Sequence, residues 1–139
     1  MILIDSAPLV ALCDPSDQHH ARASAEVMRL PVEPLVVCNP VLTEVCYHLP
    51  GAFLRSRLAY VMDSWVMSCA EDEGDPRLRA DLLDWLSRYA NHSPDMADGF
   101  LAVLAGRYAH AKVWTFDHEF ETIWRRPDGS RIPLAARGR

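Results

Sequence analysis

Ile2-Leu3-Ile4-Asp5-Ser6 opens the chain with an apolar triplet that ends in a carboxylate. Three apolar residues are too few for a helix, and they suit a strand buried on both faces of a parallel sheet. Residues 112–116 repeat this pattern and end at Asp117. Ligands of open parallel sheets bind beyond the carboxyl ends of the strands. Two such strands, each followed by an acid, therefore predict an α/β fold with a polar site at one sheet edge.

Short apolar runs alternate with amphipathic stretches along the rest of the chain. We predict strands over 2–4, 35–38, 65–69 and 112–116. We predict helices over 7–12, 18–29, 40–49, 52–63, 76–90 and 94–108. Strands separated by helices imply right-handed crossovers and a mainly parallel sheet. The expected fold is a three-layer α/β/α sandwich.

Local signals predict how these elements begin and end. Ser6, Asn39 and Ser93 are the expected helix caps, because their side chains can accept from free backbone N–H groups. The acidic run 71–75 is expected to be an exposed loop. Asp128-Gly129 favours a tight turn, so residues 123–125 and 131–134 are expected to pair as short strands.

Composition bounds the class of protein. The chain has 139 residues, half of them apolar, which suits a single domain over 1–139 with one core. No apolar run approaches the roughly 18 residues that cross a bilayer, and the start has no basic lead-in, so we expect a cytoplasmic protein. The cysteines have no metal-binding spacing and are expected to be free thiols.

The charge distribution limits how nucleic acid could be bound. A net charge of -5 argues against a protein that coats nucleic acid by bulk electrostatics. It does not exclude a nuclease, because an active site built from carboxylates is itself acidic. The end of the chain is locally basic, with arginines at 125, 126, 131, 137 and 139. Any affinity for a nucleic-acid substrate should therefore be local.

Four acids occupy two kinds of position. Asp5 and Asp117 each follow a strand, whereas Glu44 and Asp98 each lie four residues after a proline that opens an apolar helix. If these carboxylates converged, each pair would repel by about 1–4 kcal/mol. A divalent cation such as Mg²⁺ or Mn²⁺, which prefers hard oxygen ligands, would resolve that conflict. Such a site can activate water for phosphodiester hydrolysis.

With these residues, the chain resembles the PIN-domain family, and within it the VapC-like toxin ribonucleases. The resemblance covers nearly the whole length. It rests on residues 2–7, Thr43-Glu44, Met96-Ala97-Asp98 and Thr115-Phe116-Asp117 with Phe120 nearby. It implies a sheet of order 3-2-1-4-5, Mg²⁺ or Mn²⁺ as cofactor, RNA hydrolysis, a homodimer, and a cognate VapB-like antitoxin that blocks the site.

The resemblance also implies a role for each matching residue. Asp5, Glu44 and Asp98 carry over as metal ligands, and Asp117 as a fourth acid of the metal site. Ser6 and Thr115 carry over as supporting hydroxyls. Arg125 and Arg126 are the candidate substrate-binding residues, with Trp124 beside them as a candidate RNA contact. Asp95, three residues before Asp98, could share its face and the metal, but its main expected role is that of a favourable charge in a helix first turn. His118 and His19-His20 are expected to face solvent.

Other functions remain open at this point. The main alternative is a PIN-like module that binds RNA or protein without cutting, which would be favoured if one of the four acids were missing; none is. Phosphotransferases that place an Asp after the first strand need further acids nearby, and Ala7 stands where one such enzyme has its second Asp. Gly99 departs from the resembled family, in which alanine is commoner after the third acid, and is expected to loosen its helix by up to about 1 kcal/mol.

Overall fold

Four short parallel strands form the centre of the molecule, in a computed structural model that describes residues 1–136. Arg137 and Arg139 lie outside the described residues. The strands are β1 (Ile2–Ile4), β2 (Leu35–Val37), β3 (Ser68–Cys69) and β4 (Lys112–Trp114). The helices are α1 (Ser6–Cys13), α2 (His20–Val27), α3 (Asn39–His48), α4 (Ala52–Ser64), α5 (Pro76–Arg88), α6 (Met96–Arg107) and α7 (Glu119–Thr122).

The strand order is β3-β2-β1-β4, and every pairing is parallel. On the outer side of β4, Leu134 forms one parallel bridge with Val113. The expected α/β/α fold with order 3-2-1-4-5 is confirmed, with the fifth position reduced to that single bridge. Helix α1 packs against α2, α3 and α4, while α5 packs against α6, so helices flank the sheet.

The core explains why such short strands are stable. All three residues of β1 are at most 1 % exposed, as expected for a strand covered by helices on both faces. Trp85, Trp114 and Trp124 are fully buried as well. Trp124 packs against the rings of Trp85 and Tyr89. The expectation that Trp124 contacts RNA is therefore wrong, because a fully buried indole offers no face for a base.

The third strand is shorter than predicted. Helix α4 continues to Ser64, and Val66 then takes a positive φ of 52°, so only Ser68–Cys69 pairs with β2. The acidic run that follows is not an exposed loop. It forms a 3-10 turn over Glu71–Gly74, in which Asp72 binds Arg107 and Tyr108. This segment is held by contacts with residues of α6 and its C-terminal end, which are distant in sequence and so are not visible in the local pattern.

Two predicted helix caps are also displaced by one or two residues. Asp5, not Ser6, caps α1 by accepting from the Ser6 N–H, and Asp95 caps α6 while Ser93 lies before it with a φ of 51°. Asn39 does not cap α3 with its side chain, which instead bonds to Glu73. At the N-termini of α1 and α6 the cap is an aspartate and not a serine, and its negative charge interacts favourably with the positive end of the helix dipole.

The end of the chain turns as predicted but pairs less. Gly129 takes a φ of 84°, which glycine adopts without strain, and beside it Arg125 and Arg131 form one antiparallel bridge instead of two strands. The four cysteines are free thiols, as expected. None of the described helices combines the length and apolar character needed to cross a membrane.

Gly99 has a packing reason that the sequence did not indicate. A Cβ at this position would lie 2.7 Å from Leu82 Cδ1 and 3.1 Å from Leu86 Cδ2. The glycine therefore allows α5 to approach α6 closely. Gly99 lowers the helix propensity of α6, but it also permits the close packing of α5 on α6. The expectation that Gly99 only loosens its helix is therefore incomplete.

Candidate active site

The carboxyl ends of β1 and β4 bring Asp5 and Asp117 to the same edge of the sheet. Ile4 is in register with Trp114, and the Asp5 N–H donates to the Trp114 carbonyl at 2.9 Å. Each acid follows within three residues of that last pair. The placement expected from the two strand ends is therefore observed.

Asp5 is the most enclosed of the acids, at 6 % exposure. Its Oδ1 accepts from the Ser6 N–H at 2.7 Å, and its Oδ2 accepts from Thr115 Oγ1 at 2.6 Å. Burial raises the pKa of Asp5, which the hydrogen bonds from Thr115 and Ser6 only partly oppose; the negative charges of Asp95 and Asp117 raise it further. Two hydrogen bonds thus fix the orientation of the Asp5 side chain, but no cationic side chain of residues 1–136 forms an ion pair with it.

Glu44 reaches the same place from α3. Its Oε2 accepts from Ser6 Oγ at 2.5 Å, and the same hydroxyl lies 3.4 Å from Asp5 Oδ1. Burial raises the pKa of Glu44 to about 7, and a contact with the Asp95 carboxyl and the charge of Asp5 add to the rise. One serine hydroxyl therefore connects the acids of β1 and α3.

Asp98 comes from the first turn of α6. Its Oδ2 accepts from the Asp95 N–H at 3.0 Å, while its own N–H donates to Asp95 Oδ1 at 2.8 Å, which is a reciprocal capping box. Burial raises the pKa of Asp98 to about 8, and the charges of Asp95, Asp5 and Asp117 contribute. The capping box thus holds Asp98 facing the other acids.

Asp95 belongs to this cluster, although its main expected role was that of a favourable charge in a helix first turn. It does cap α6, but it also raises the pKa of Asp5, Glu44 and Asp98 by its proximity. Its spacing of three residues from Asp98 was the signal that both could share a face. We call Asp5, Glu44, Asp95, Asp98 and Asp117 the acidic cluster.

Asp117 is partly accessible at the sheet edge, with 35 % of its side chain exposed. Its Oδ1 accepts from the Glu119 N–H at 2.9 Å, and its own N–H donates to Thr115 Oγ1 at 2.9 Å. Thr115 therefore contacts both Asp5 and Asp117. The neighbouring His118 is 84 % exposed, as expected for a solvent-facing side chain.

No lysine or arginine among residues 1–136 forms an ion pair with the acidic cluster; only His118 Nδ1 approaches, 4.0 Å from Asp117 Oδ1. Within the same part of the chain, no three His, Cys, Asp or Glu side chains stand in a ready-made metal-ligating arrangement. The carboxylates accept instead from hydroxyls and backbone N–H groups. Hard oxygen donors without a counter-charge fit Mg²⁺ or Mn²⁺ better than they fit zinc.

The two arginines predicted to bind substrate lie away from these contacts. Arg125 donates to the carbonyls of Trp124 at 2.8 Å and Glu121 at 3.4 Å, at the end of α7. Arg126 has buried Nε and Nη2 atoms without a hydrogen-bond partner among the described residues. The structure does not bring either guanidinium to the acidic cluster, and their role in binding substrate stays a prediction.

Comparison with known proteins agrees with the fold. The PIN domain family model matches residues 2–124. The crystal structure of VapC20 from Mycobacterium tuberculosis, described as a toxin that cleaves the sarcin–ricin loop, superposes with a TM-score of 0.72 at 19 % identity, over 88 % of this chain and 94 % of that one. No curated protein sequence matches the chain. Because the family match spans most of the 139 residues, the chain belongs to the PIN-domain family.

Proposed function

We propose that this protein is a metal-dependent endoribonuclease that hydrolyses RNA phosphodiesters and acts as the toxin of a toxin–antitoxin pair. The observation that carries the proposal is the acidic cluster, in which burial and the negative charges of neighbouring carboxylates raise the pKa of Asp5, Glu44 and Asp98. Membership of the PIN-domain family, whose members are nucleases, and a VapC-like fold support it.

In this proposal Asp5, Glu44 and Asp98 hold the cation, Mg²⁺ or Mn²⁺, and Asp117 completes the site. When bound, the cation supplies a water of lowered pKa and positive charge for the phosphate. Ser6 and Thr115 orient the carboxylates, since their hydroxyls already donate to Glu44 and Asp5. Asp117 is partly exposed and can therefore face an RNA strand.

Further parts of the proposal concern assembly and surroundings. We propose a homodimer, inhibition by a cognate VapB-like antitoxin, a cytoplasmic location, and a single PIN domain over 1–139. Exposed apolar side chains on α3 and α4 support protein partners: Tyr47 is 81 %, Phe53 70 % and Tyr60 66 % exposed.

Cleavage of RNA by variants tests the chemistry. Asp5→Asn keeps the shape of the side chain and an acceptor for the Ser6 N–H, but removes a charged ligand; we expect cleavage to fall at least 100-fold. Asp81→Asn is the matched control, because Asp81 is an exposed residue of α5. Wild-type protein should cleave with Mg²⁺ or Mn²⁺ and stop in EDTA. Cleavage by Asp5→Asn protein in EDTA would contradict the proposal, and RNA binding without cleavage by wild type would favour a non-catalytic module.

Expression in bacteria tests the biological role. The wild-type chain expressed without an antitoxin should arrest growth, and Asp5→Asn should restore it at equal protein level. Harmless accumulation of cleavage-competent wild-type protein would rule out the toxin role while leaving the nuclease assignment standing.

A further inference from the structure

A cavity of about 260 Å³ adjoins the exposed side of the acidic cluster. Its lining includes Arg22, Thr115, Phe116, Asp117, His118 and Glu121. The cavity borders the acidic cluster, because Asp117 lines it directly and Thr115, which also lines it, donates to Asp5. A volume slightly below the roughly 300–1,000 Å³ of small-molecule pockets suits one part of a nucleotide rather than a whole ligand.

Arg22 enters this cavity from α2 in a restrained position. Its Nε donates to Glu26 Oε1 at 2.8 Å, and its Cζ lies 4.1 Å from the centre of the Phe116 ring. Glu26 is held in turn, because its Oε2 accepts from the Trp114 indole N–H at 2.8 Å. The guanidinium is therefore stacked and anchored before any ligand arrives, which reduces the entropy lost on binding.

The outer donors of this guanidinium are not used by the protein. Among residues 1–136, neither Nη atom of Arg22 donates a hydrogen bond, and the side chain is 37 % exposed. A planar guanidinium with two unused N–H pairs is the side chain that recognises phosphate in a bidentate manner. The acidic neighbours Asp117 and Glu121 do not pair with it either.

We propose that Arg22 binds a backbone phosphate of the RNA next to the one that is cut, on the side of Asp117. This inference rests on the proposed ribonuclease function and adds a substrate-binding residue to it. The phosphate would lie against the Phe116-stacked guanidinium, which offers the cavity its permanent positive charge. Glu121, which lines the same cavity, opposes the phosphate and weakens binding.

Arg22 could not be identified from the sequence, because nothing local distinguishes it from a solvated arginine of a surface helix. Its i,i+4 spacing to Glu26 predicts only an ordinary helix ion pair. The second partner, Phe116, is remote in sequence and is brought over by the pairing of β4 with β1.

RNA binding by four proteins tests the inference. All carry Asp5→Asn, so that the RNA stays intact, and the probe is a fluorescein-labelled single-stranded oligoribonucleotide of mixed sequence in Mg²⁺. The variants are Arg22→Gln, Glu121→Gln and Arg79→Gln; Arg79 is an exposed arginine of α5 outside the cavity and serves as the charge-matched control. Fluorescence anisotropy is measured from about 50 to 200 mM salt.

Arg22→Gln should weaken binding on the order of 10-fold relative to Arg79→Gln, and should lower the slope of log K against log salt by about 0.7, the value for one phosphate of a single strand. Glu121→Gln should strengthen binding. Equal affinities and slopes for Arg22→Gln and Arg79→Gln, or no RNA binding by the Asp5→Asn protein, would overturn the inference.

Cleavage kinetics with Asp5 intact separate this inference from the proposed function. If both hold, Arg22→Gln raises KM more than it lowers kcat, because the phosphate it binds does not react. If the wild-type protein binds RNA in an Arg22-dependent way but never cleaves it, the proposed nuclease function is wrong and the proposed phosphate site stands. If the protein cleaves RNA with a KM that Arg22→Gln does not change, the proposed phosphate site is wrong and the proposed nuclease function stands.

Discussion

Replacing Thr115 by valine tests the hydrogen bonds that join β1 to the end of β4. The substitution keeps the β-branched shape, so the core contacts are retained. It removes a buried hydrogen bond to Asp5 Oδ2, 2.6 Å long, and a second one accepted from the Asp117 N–H at 2.9 Å. Because Asp5 is 6 % exposed, water cannot replace the lost donor.

The magnitude follows from these two contacts. A hydrogen bond to a charged group contributes about 1.5–3 kcal/mol and a neutral one about 0.5–1.5 kcal/mol. A buried methyl in place of the hydroxyl returns roughly 1 kcal/mol. We therefore expect the free energy of unfolding to fall by about 2 kcal/mol, which lowers Tm by roughly 6–8 °C for a chain of this size.

The assay is urea and thermal denaturation in EDTA, so that no cation contributes. Thr122→Val is the control, because the Thr122 hydroxyl is exposed and bonds only to the His118 carbonyl at 3.2 Å; its effect should stay within about 0.5 kcal/mol. Equal stability of Thr115→Val and wild type would refute the claim that Thr115 holds the acidic cluster together.

Three further predictions concern packing, pH and burial. Gly106→Ala would place a Cβ 2.8 Å from the rigid Pro127 ring, so urea denaturation should show that the free energy of unfolding falls by about 1 kcal/mol. In the control Gly74→Ala the new Cβ meets nothing within 4 Å, and stability should not change. A Gly106→Ala protein more stable than wild type would contradict the contact with Pro127. The pKa of Glu33 is lowered to about 2 by hydrogen bonds from Lys112 and the N-terminal amine, so its contribution to stability is present above about pH 4.5 and is lost as the pH falls toward 2. Glu33→Gln should remove that part of the acid sensitivity in pH-dependent denaturation, and an unchanged pH profile would argue against the ion pair. Iodide should quench only the partly exposed Trp65 among the four tryptophans, and quenching that survives in Trp65→Phe would contradict the burial of the others.

The acidic cluster shows how far sequence reasoning reaches at a site. Asp5, Glu44, Asp98 and Asp117 were chosen from strand ends and helix first turns, and all four lie at one edge of the sheet. Asp95 was expected to act mainly as a favourable charge in a helix first turn, because that role by itself explained its position. The second role became visible only when α3 was placed beside α6, so that Glu44 could meet it.

The amino-acid sequence by itself determined the parallel sheet and the positions of its acids. An apolar triplet such as Ile2–Ile4 is stable as a strand only when both faces of the sheet are covered, and the triplet can be recognised from its own residues alone. The intervening amphipathic stretches supply the covering helices, so the layer order follows without knowledge of any particular contact. The carboxylates that end two of these strands were therefore predictable as well.

Only the tertiary structure decided which side chains serve the site and which serve the core. Trp124 looked like an RNA contact beside two arginines, yet it is fully buried against Trp85. Arg22 looked like a solvated helix residue, yet it stacks on Phe116 beside Asp117. Residue type and local spacing indicate what a side chain can do, but its partners are set by strand and helix pairings between distant parts of the chain, as in the bond from Thr115 to Asp5 across 110 residues.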